Sequence, residues 1–288
     1  MSKEINVLNE YKRFCQNNSI PFEVEGSVKS YNDSTLFCPA GMQQYSNLFT
    51  KKWIKGTSAN VQPCLRVNDL DEIGDGTHLL YFNMLGLFSF RELQMKNAFD
   101  LIISFLEDYL ILKIDKITIH PDKIHDWIVY VPGCYNVETD RDCLWSDGKT
   151  KGYSIEFYVN GIEVANIVNT CGDCIDMGAG LERLEVLCGA KPKKVEQVLT
   201  EAIEKILETG ATPSPNKQGY ILRKLLGLAI KKKIPLENKY IEEEKSRIDK
   251  MNTFYKENKD KFKGKSEEWW QETHGVDIDL LSPLNKKE

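Results

Sequence analysis

The sequence predicts an α+β fold, a mostly antiparallel sheet flanked by helices, followed by a smaller helical part. Three observations carry this. Residues 153–168 alternate apolar and polar side chains around Asn160-Gly161, and Asn-Gly between alternating strands is the strongest short hairpin signal. Residues 64–67 and 79–90 are apolar and aromatic and flank an acidic, glycine-punctuated loop at 68–77, the pattern of a second antiparallel hairpin within a buried sheet. After residues 209–215, a Gly/Pro linker, only helical spacing is left. The division is therefore expected near residue 208, giving a sheet domain at 1–208 and a short helical domain at 209–288.

The chain has 288 residues with 41% hydrophobic content, enough for one large core or two smaller ones. No apolar run approaches the roughly 18 residues that span a bilayer, so no membrane partner is expected. The start, Met-Ser-Lys-Glu-Ile-Asn, lacks the apolar centre of a secretory signal. The eight scattered cysteines then read as thiols of a cytoplasmic protein. A net charge of −5 argues against non-specific nucleic-acid binding and leaves room for a local basic face.

In chain order, residues 5–17 carry Leu8, Tyr11 and Phe14 at helical spacing, and 22–28 alternate like a strand. Asn32-Asp33 marks a turn, 35–42 is a short apolar run, and 42–49 suits a short helix. The strand at 64–67 carries Arg66, which is either paired, aimed into a pocket, or snorkelling from an edge. Residues 98–112 are apolar on most faces, so a helix buried against the sheet is expected, and 116–120 and 126–131 look like strands. Trp145 falls in a polar loop, as an anchor or a pocket wall. In the Asn160-Gly161 hairpin a two-residue turn pairs Tyr158 with Glu163 and Glu156 with Ala165, putting Glu156 and Glu163 on one face. Two neighbouring carboxylates form either a solvated face or a seat for nucleotide-bound Mg²⁺, which takes one or two carboxylates plus phosphate oxygens.

Residues 175–184, Ile-Asp-Met-Gly-Ala-Gly-Leu-Glu-Arg-Leu, read as a glycine turn entering a helix. Such a junction is either an ordinary turn with a surface Glu182/Arg183 pair or an anion site, with Arg183 gripping phosphate and Asp176 facing an ammonium. Residues 195–207 are amphipathic. Residues 219–233 form a helix whose Arg223, Lys224, Lys231, Lys232 and Lys233 make a solvated surface or a nucleic-acid face. Residues 241–262 are a charged helix, Trp269-Trp270 a hydrophobic plug, and 283–288 a tail. Cys171-Gly-Asp-Cys174 has metal-ligand spacing, but Cys134 and Cys143 do not complete a paired set, so loop thiols are favoured over zinc or redox chemistry.

The order of these motifs resembles the alanyl-tRNA synthetases. Asp33-Ser-Thr-Leu-Phe-Cys-Pro-Ala-Gly-Met-Gln-Gln-Tyr is similar to their first signature, D-P-T-L-L-F-T-N-A-G-M-x-Q-F. Cys64-Leu-Arg66, Asn68-Asp-Leu-Asp-Glu-Ile-Gly74 and Phe82-Asn-Met-Leu-Gly86-Leu-Phe-Ser-Phe90 resemble their second, and residues 176–184 resemble V-D-T-G-M-G-L-E-R-L. Glu163-Val-Ala-Asn166-Ile-Val is similar to E-I-W-N-x-V, and Trp145 is placed like the tryptophan that walls the alanine pocket. Gly219-Tyr-Ile-Leu-Arg-Lys and Glu272-Thr-His-Gly-Val-Asp-Ile-Asp-Leu280 continue the likeness into the helical part.

The resemblance implies a class II synthetase fold, ATP and Mg²⁺ as cofactors, and formation of an aminoacyl adenylate from alanine or a similar small amino acid. It implies Arg66 and Arg183 as catalytic phosphate-handling groups, with Glu163, Asn166, Gly178 and Gly180 also at ATP. Glu163 with Glu156 would hold the metal, and Asp176 and Trp145 the amino acid. Class II domains often pair, so a homodimer is allowed, although Ser34 replaces the family proline.

The sequence also departs from the family. Val67 alone separates Arg66 from Asn68, where the family has A-G-G-K-H; Asn83 replaces a glutamate, Ala165 a tryptophan, and Pro215 the asparagine that reads the acceptor stem. These changes lean toward a non-tRNA acceptor (a carrier protein, a peptide or a small molecule) over a reduced synthetase that charges tRNA. An inactive regulatory or binding paralogue is the third reading.

Overall fold

The computed structural model describes residues 5–67, 70, 73–74, 78–146, 151–171 and 173–281. Most of the acidic loop expected at 68–77, residues 147–148 of the Trp145 loop, Gly172 and the tail fall outside them. The chain divides into two compact units, residues 1–66 with 75–192, and residues 67–74 with 193–288. The helix at 195–208 groups with the helices after it, so the division falls at Pro192–Lys193 and not near residue 208. Among the described residues no helix is long and apolar enough to cross a membrane.

The first unit is built on a mostly antiparallel sheet of β1 (Phe22–Val24), β2 (Gly56–Leu65), β3 (Tyr81–Phe90), β4 (Lys116–Ile119), β5 (Asn136–Thr139), β6 (Leu144–Ser146), β7 (Lys151–Val159), β8 (Ile162–Thr170) and β9 (Cys174–Gly180). The strand order is β1-β2-β3-β9-β8-β7-β4-β5, with β6 on β7. Among the described residues only β1–β2 and β4–β5 pair in parallel. Both expected hairpins form, β2–β3 and β7–β8. The expected strand at 64–67 is the tail of the longer β2, and Arg66 stands one residue beyond it, exposed.

One face of the sheet carries the main core. Val61, Leu85, Leu87, Ile155, Phe157, Ile167, Ile175 and Met177 are buried there against α1 (Val7–Asn17) and α3 (Met95–Ser104). Asn6 caps α1 by accepting from the Asn9 amide at 2.9 Å. Helical spacing then buries Val7, Tyr11 and Phe14 together. Tyr11 also donates to the Gly86 carbonyl at 2.8 Å, tying α1 to β3. The helix expected at 98–112 runs as α3 and continues as a wide turn over Phe105–Tyr109. A 3₁₀ turn (Gly41–Tyr45) and α2 (Ser46–Thr50) lie where one short helix is expected.

The strand expected at 126–131 is instead α4 (Ile124–Trp127) and a 3₁₀ turn, Ile128–Tyr130. Trp127 is buried while Val129 is 73% exposed. A short apolar run does not distinguish the two structures by periodicity. Trp145, expected in a loop, sits on β6.

The second unit packs α6 (Val195–Glu208), α7 (Lys217–Lys231), α8 (Ile241–Asn258), α9 (Glu267–His274) and α10 (Ile278–Leu281). Leu199, Ile203, Leu222, Leu225 and Leu226 are fully buried. The expected plug at Trp269-Trp270 resolves into a buried Trp270, packed with Met251 and Val276, and a partly buried Trp269. Glu244 is buried on α8, where one oxygen accepts from Arg247 at 2.8 Å (Nε) and 2.5 Å (Nη2).

Candidate functional site

The sheet face opposite the core holds Trp145, Glu156, Glu163, Asn166, Asp176, Gly178 and Gly180, while Arg66 stands just past β2 and Arg183 on the helix that follows β9. Residues paired across a sheet share a face, so the strand register defines rows. One row runs Trp145–Gly152–Thr170–Cys174–Phe90. The next runs Ser154–Val168–Asp176–Phe88–Ser58. A third, polar or glycine throughout, runs Thr118–Glu156–Asn166–Gly178–Gly86–Asn60. Tyr158, paired with Glu163, and Gly180, paired with Met84, mark the fourth level. Successive rows lie about 6.8 Å apart along the strands.

A β-bulge makes this arrangement. The ladder slips between Phe157 and Tyr158, so Glu163 faces Tyr158, Ala165 faces Phe157, and Val164 has no partner. Val164 and Ala165 both pack into the core. The regular hairpin expected from the sequence pairs Glu156 with Ala165; the bulge pairs it with Asn166 instead. Glu156, Glu163 and Asn166 thereby share one surface.

At the first end of the face, Trp145 packs beside Phe88, Phe90 and Cys174. Asp176 lies one row further, and burial pushes its carboxyl up to about 7. At the other end, burial and the neighbouring Glu156 push the Glu163 carboxyl up, while Arg183, Arg66 and the Asn166 amide pull it down. Arg183 donates from Nη1 to the Glu163 carbonyl at 2.6 Å, and that nitrogen lies 3.8 Å from its carboxylate. Glu156 accepts from Tyr158 Oη at 2.7 Å and Thr118 Oγ1 at 3.3 Å. Arg66 donates from Nε to the Pro39 carbonyl at 2.9 Å, and its guanidinium carbon lies 5.1 Å from the Phe82 ring centre. Arg66 is thus held at the edge rather than on a buried strand.

Gly178 and Gly180 belong to strand β9, which runs straight into α5 (Leu181–Leu187); the glycine turn expected there is absent. At Gly178 the missing Cβ makes room for neighbouring side chains, whereas a Cβ at Gly180 would meet only Arg183 Cβ at an ordinary 3.6 Å. A Cβ at Gly178 would stand 3.3 Å from Asn166 Oδ1 and Met84 Sδ. At neighbouring Gly86 it would meet Phe88 Cζ at 2.4 Å.

Cys171 is exposed and Cys174 buried. Among the described residues no three His, Cys, Asp or Glu groups come together as a metal set.

Two residues escaped the sequence. Glu182 is buried, accepting from the Asn83 amide at 2.9 Å and from its side chain at 2.9 Å. Its neighbour Arg183 suggested a surface pair, and nothing in the spacing pointed to a partner on β3. Arg91 donates to the carbonyls of Phe49 at 2.6 Å and Lys51 at 3.0 Å, at the end of α2. The sequence around it, Phe90-Arg91-Glu92, gave no sign of it.

Residues 14–144 match the family model of class II tRNA synthetases (A). The alanine–tRNA ligase of Rubrobacter xylanophilus is 30% identical over 159 residues, 52% of this chain and 17% of that protein. That of Chlamydia trachomatis serovar L2 is 27% identical over 311 residues, 77% of this chain and 34% of that protein. That of Borreliella burgdorferi is 42% identical over 97 residues, 31% of this chain and 16% of that protein. A solved structure of a putative aspartyl-tRNA synthetase from Leishmania major Friedlin aligns with 67% of this chain and 62% of that chain, at TM-score 0.42 and 12% identity. The chain spans about a third or less of the length of the curated relatives it matches.

Proposed function

We propose that this chain, a class II synthetase-like protein related to the alanine–tRNA ligases, joins ATP and alanine or a similar small amino acid into an aminoacyl adenylate. One observation carries the reading. Trp145 and Asp176 lie in the first two rows of one sheet face, Glu156 shares the third row with Asn166 and Gly178, and Glu163 lies on the fourth with Arg183 of α5 against it.

The amino-acid end fits an ammonium beside Asp176, with Trp145 limiting side-chain size. Burial raises the Asp176 carboxyl to about 7, so an incoming ammonium supplies the charge that makes the carboxylate stable. Along the strand, about 7 Å on, half-buried Gly178 lets a ligand approach the backbone closely, while Gly86 beside it is covered by Phe88 and Asn60. There the amino acid carboxylate attacks the α-phosphate and pyrophosphate leaves. Arg66 neutralises the attacked phosphate and Arg183 holds the departing end. The protein forms no bond to substrate in this step; placement and charge carry the rate.

The residues fit Mg²⁺ carried in by ATP. Two carboxylates push against each other at Glu156 and Glu163, and oxygen donors of this kind suit that ion. When bound, it would neutralise phosphate oxygens.

The acceptor we place first is a tRNA, because the relatives named above are alanine–tRNA ligases. A carrier protein or small molecule is the second reading, favoured by the single residue Val67 between Arg66 and Asn68. Amino-acid-dependent ATP–pyrophosphate exchange across the twenty amino acids tests the first step. Exchange with alanine or another small amino acid is expected, and none with any of them overturns the reading. Labelled amino acid offered to bulk tRNA then separates the acceptors.

A further inference from the structure

The turn between α2 and β2 carries Lys51, Lys52, Trp53 and Lys55, all exposed, with Trp53 78% exposed. A tryptophan this open normally finds at least partial cover. This one is not loosely attached. The Ile54 amide donates to the Lys51 carbonyl at 3.1 Å, closing the turn. Arg91, whose side chain is 9% exposed, fastens the carbonyls of Phe49 and Lys51 from below. Ile54 points inward and packs on the cluster of Phe49, Phe88 and Phe90 that also receives Trp145. The turn is therefore a braced platform that presents an indole and three ammonium groups to solvent.

Its own stretch of sequence is basic, although Asp173 lies 3.6 Å from the bracing Arg91 and Glu92 accepts from Thr57. No aspartate or glutamate occurs between Asp33 and Asp69 in a chain with 43 acids among 288 residues. The platform also lies on the rim of the candidate site. Ser58, three residues past Lys55, shares a row with Phe88 and Asp176.

We propose that Trp53, with Lys51, Lys52 and Lys55, is a docking platform for an unpaired segment of RNA, one base stacking on the indole and flanking phosphates meeting the lysines. Aromatic stacking beside basic side chains is how single strands are held without sequence readout. One aromatic side chain among three lysines offers little apolar area to a bilayer, which weighs against a membrane role. The inference rests on the RNA-acceptor reading for its biological use, but binding is measurable without it.

The test titrates the full chain with a short fluorescein-labelled single-stranded RNA and follows anisotropy at several salt concentrations. Trp53→Ala should weaken binding about tenfold and Trp53→Phe by much less, as expected for loss or retention of one stacked base. Lys51→Ala/Lys52→Ala/Lys55→Ala should lower the slope of log affinity against log salt by about two, at ~0.7 per phosphate contact. Equal RNA affinity of Trp53→Ala and the unaltered chain overturns the proposal. So does Trp53-dependent binding to phosphatidylserine vesicles without binding to RNA. ATP–pyrophosphate exchange is measured in parallel and should be unchanged in Trp53→Ala. If the unaltered chain shows no exchange, the adenylate reading fails while the RNA result stands on its own.

Discussion

Glu156 lies directly across from Asn166 because Val164 is extruded from the β7–β8 ladder. A regular hairpin of the same sequence turns Asn166 toward the core and leaves Glu163 and Glu156 without an amide between them. The bulge thus places a hydrogen-bonding side chain beside Glu163, and the Asn166 amide favours that residue's charged form. Bulges of this kind re-aim side chains next to functional sites.

The Glu163 carboxyl is raised by burial and by Glu156. Glu163→Gln relieves both effects, so we expect a melting temperature equal to or above that of the unaltered chain. Exchange should need at least about tenfold more Mg²⁺ for half-maximal rate, the scale seen when a metal site loses a supporting group. A Mg²⁺ titration of the exchange rate decides it; an unchanged requirement removes Glu163 from the metal.

Asp176 makes the amino-acid end pH-dependent. Its folded value, about 7, lies above the ordinary 3.8, so below about 7 the folded protein keeps the proton and offers no charge to an ammonium. The KM for the amino acid should fall as pH rises through about 7 and then level off. Stability without ligand moves the opposite way. Between 3.8 and about 7 the folded chain binds the proton more tightly than the unfolded one, so this group's contribution declines as pH rises through that window. Asp176→Asn should flatten the KM profile and cost at least about a hundredfold in kcat/KM, the scale of breaking a buried charge pair.

Gly86 is a packing prediction independent of chemistry. An alanine there sets its Cβ 2.4 Å from Phe88 Cζ and 2.6 Å from Asn60 Oδ1. We expect Gly86→Ala to lose about 1–3 kcal/mol in urea unfolding, as overpacked sites do. Gly26→Ala is the control, because a Cβ there meets nothing within 4 Å. Equal midpoints for the two variants would show that the floor yields.

The two arginines should separate by chemistry. Arg66→Ala and Arg183→Ala should each reduce exchange by at least about a hundredfold, the scale for losing one group that stabilises developing charge. Arg183→Lys keeps the charge without the planar fork, so it should fall between the unaltered chain and Arg183→Ala in the KM for ATP. Full activity in either alanine variant refutes the placement.

Much of the sheet was legible because both hairpins are written in local signals, Asn160-Gly161 for one and the aromatic run ending at Phe90 for the other. The same local signals put Glu156 and Glu163 on one face. Register was not legible, since a bulge at Val164 depends on both Val164 and Ala165 being taken into the core. The Ile128–Tyr130 turn was not legible because the five consecutive apolar residues Trp127–Val131 carry no period. Glu182 was hidden because its partner, Asn83, stands on another strand. The ligand roles at Arg66, Asp176 and Arg183 came from motif order; geometry now gives each a position on which those roles can be tested.

Strand β9 enters the sheet between β3 and β8, so Leu85 and Ile167 both find partners on it, at Ala179 and Met177. In a chain emerging from the ribosome, the two hairpins on either side can form before β9 exists. Their shared face cannot, because the last strand to be made supplies Asp176 and Gly178. Pairing across such a sequence distance is slow, since the loop entropy falls due before the contacts form. On the proposed reading, substrate grip arrives as the final act of sheet closure, and a nascent or clipped chain lacking β9 is expected to hold neither substrate.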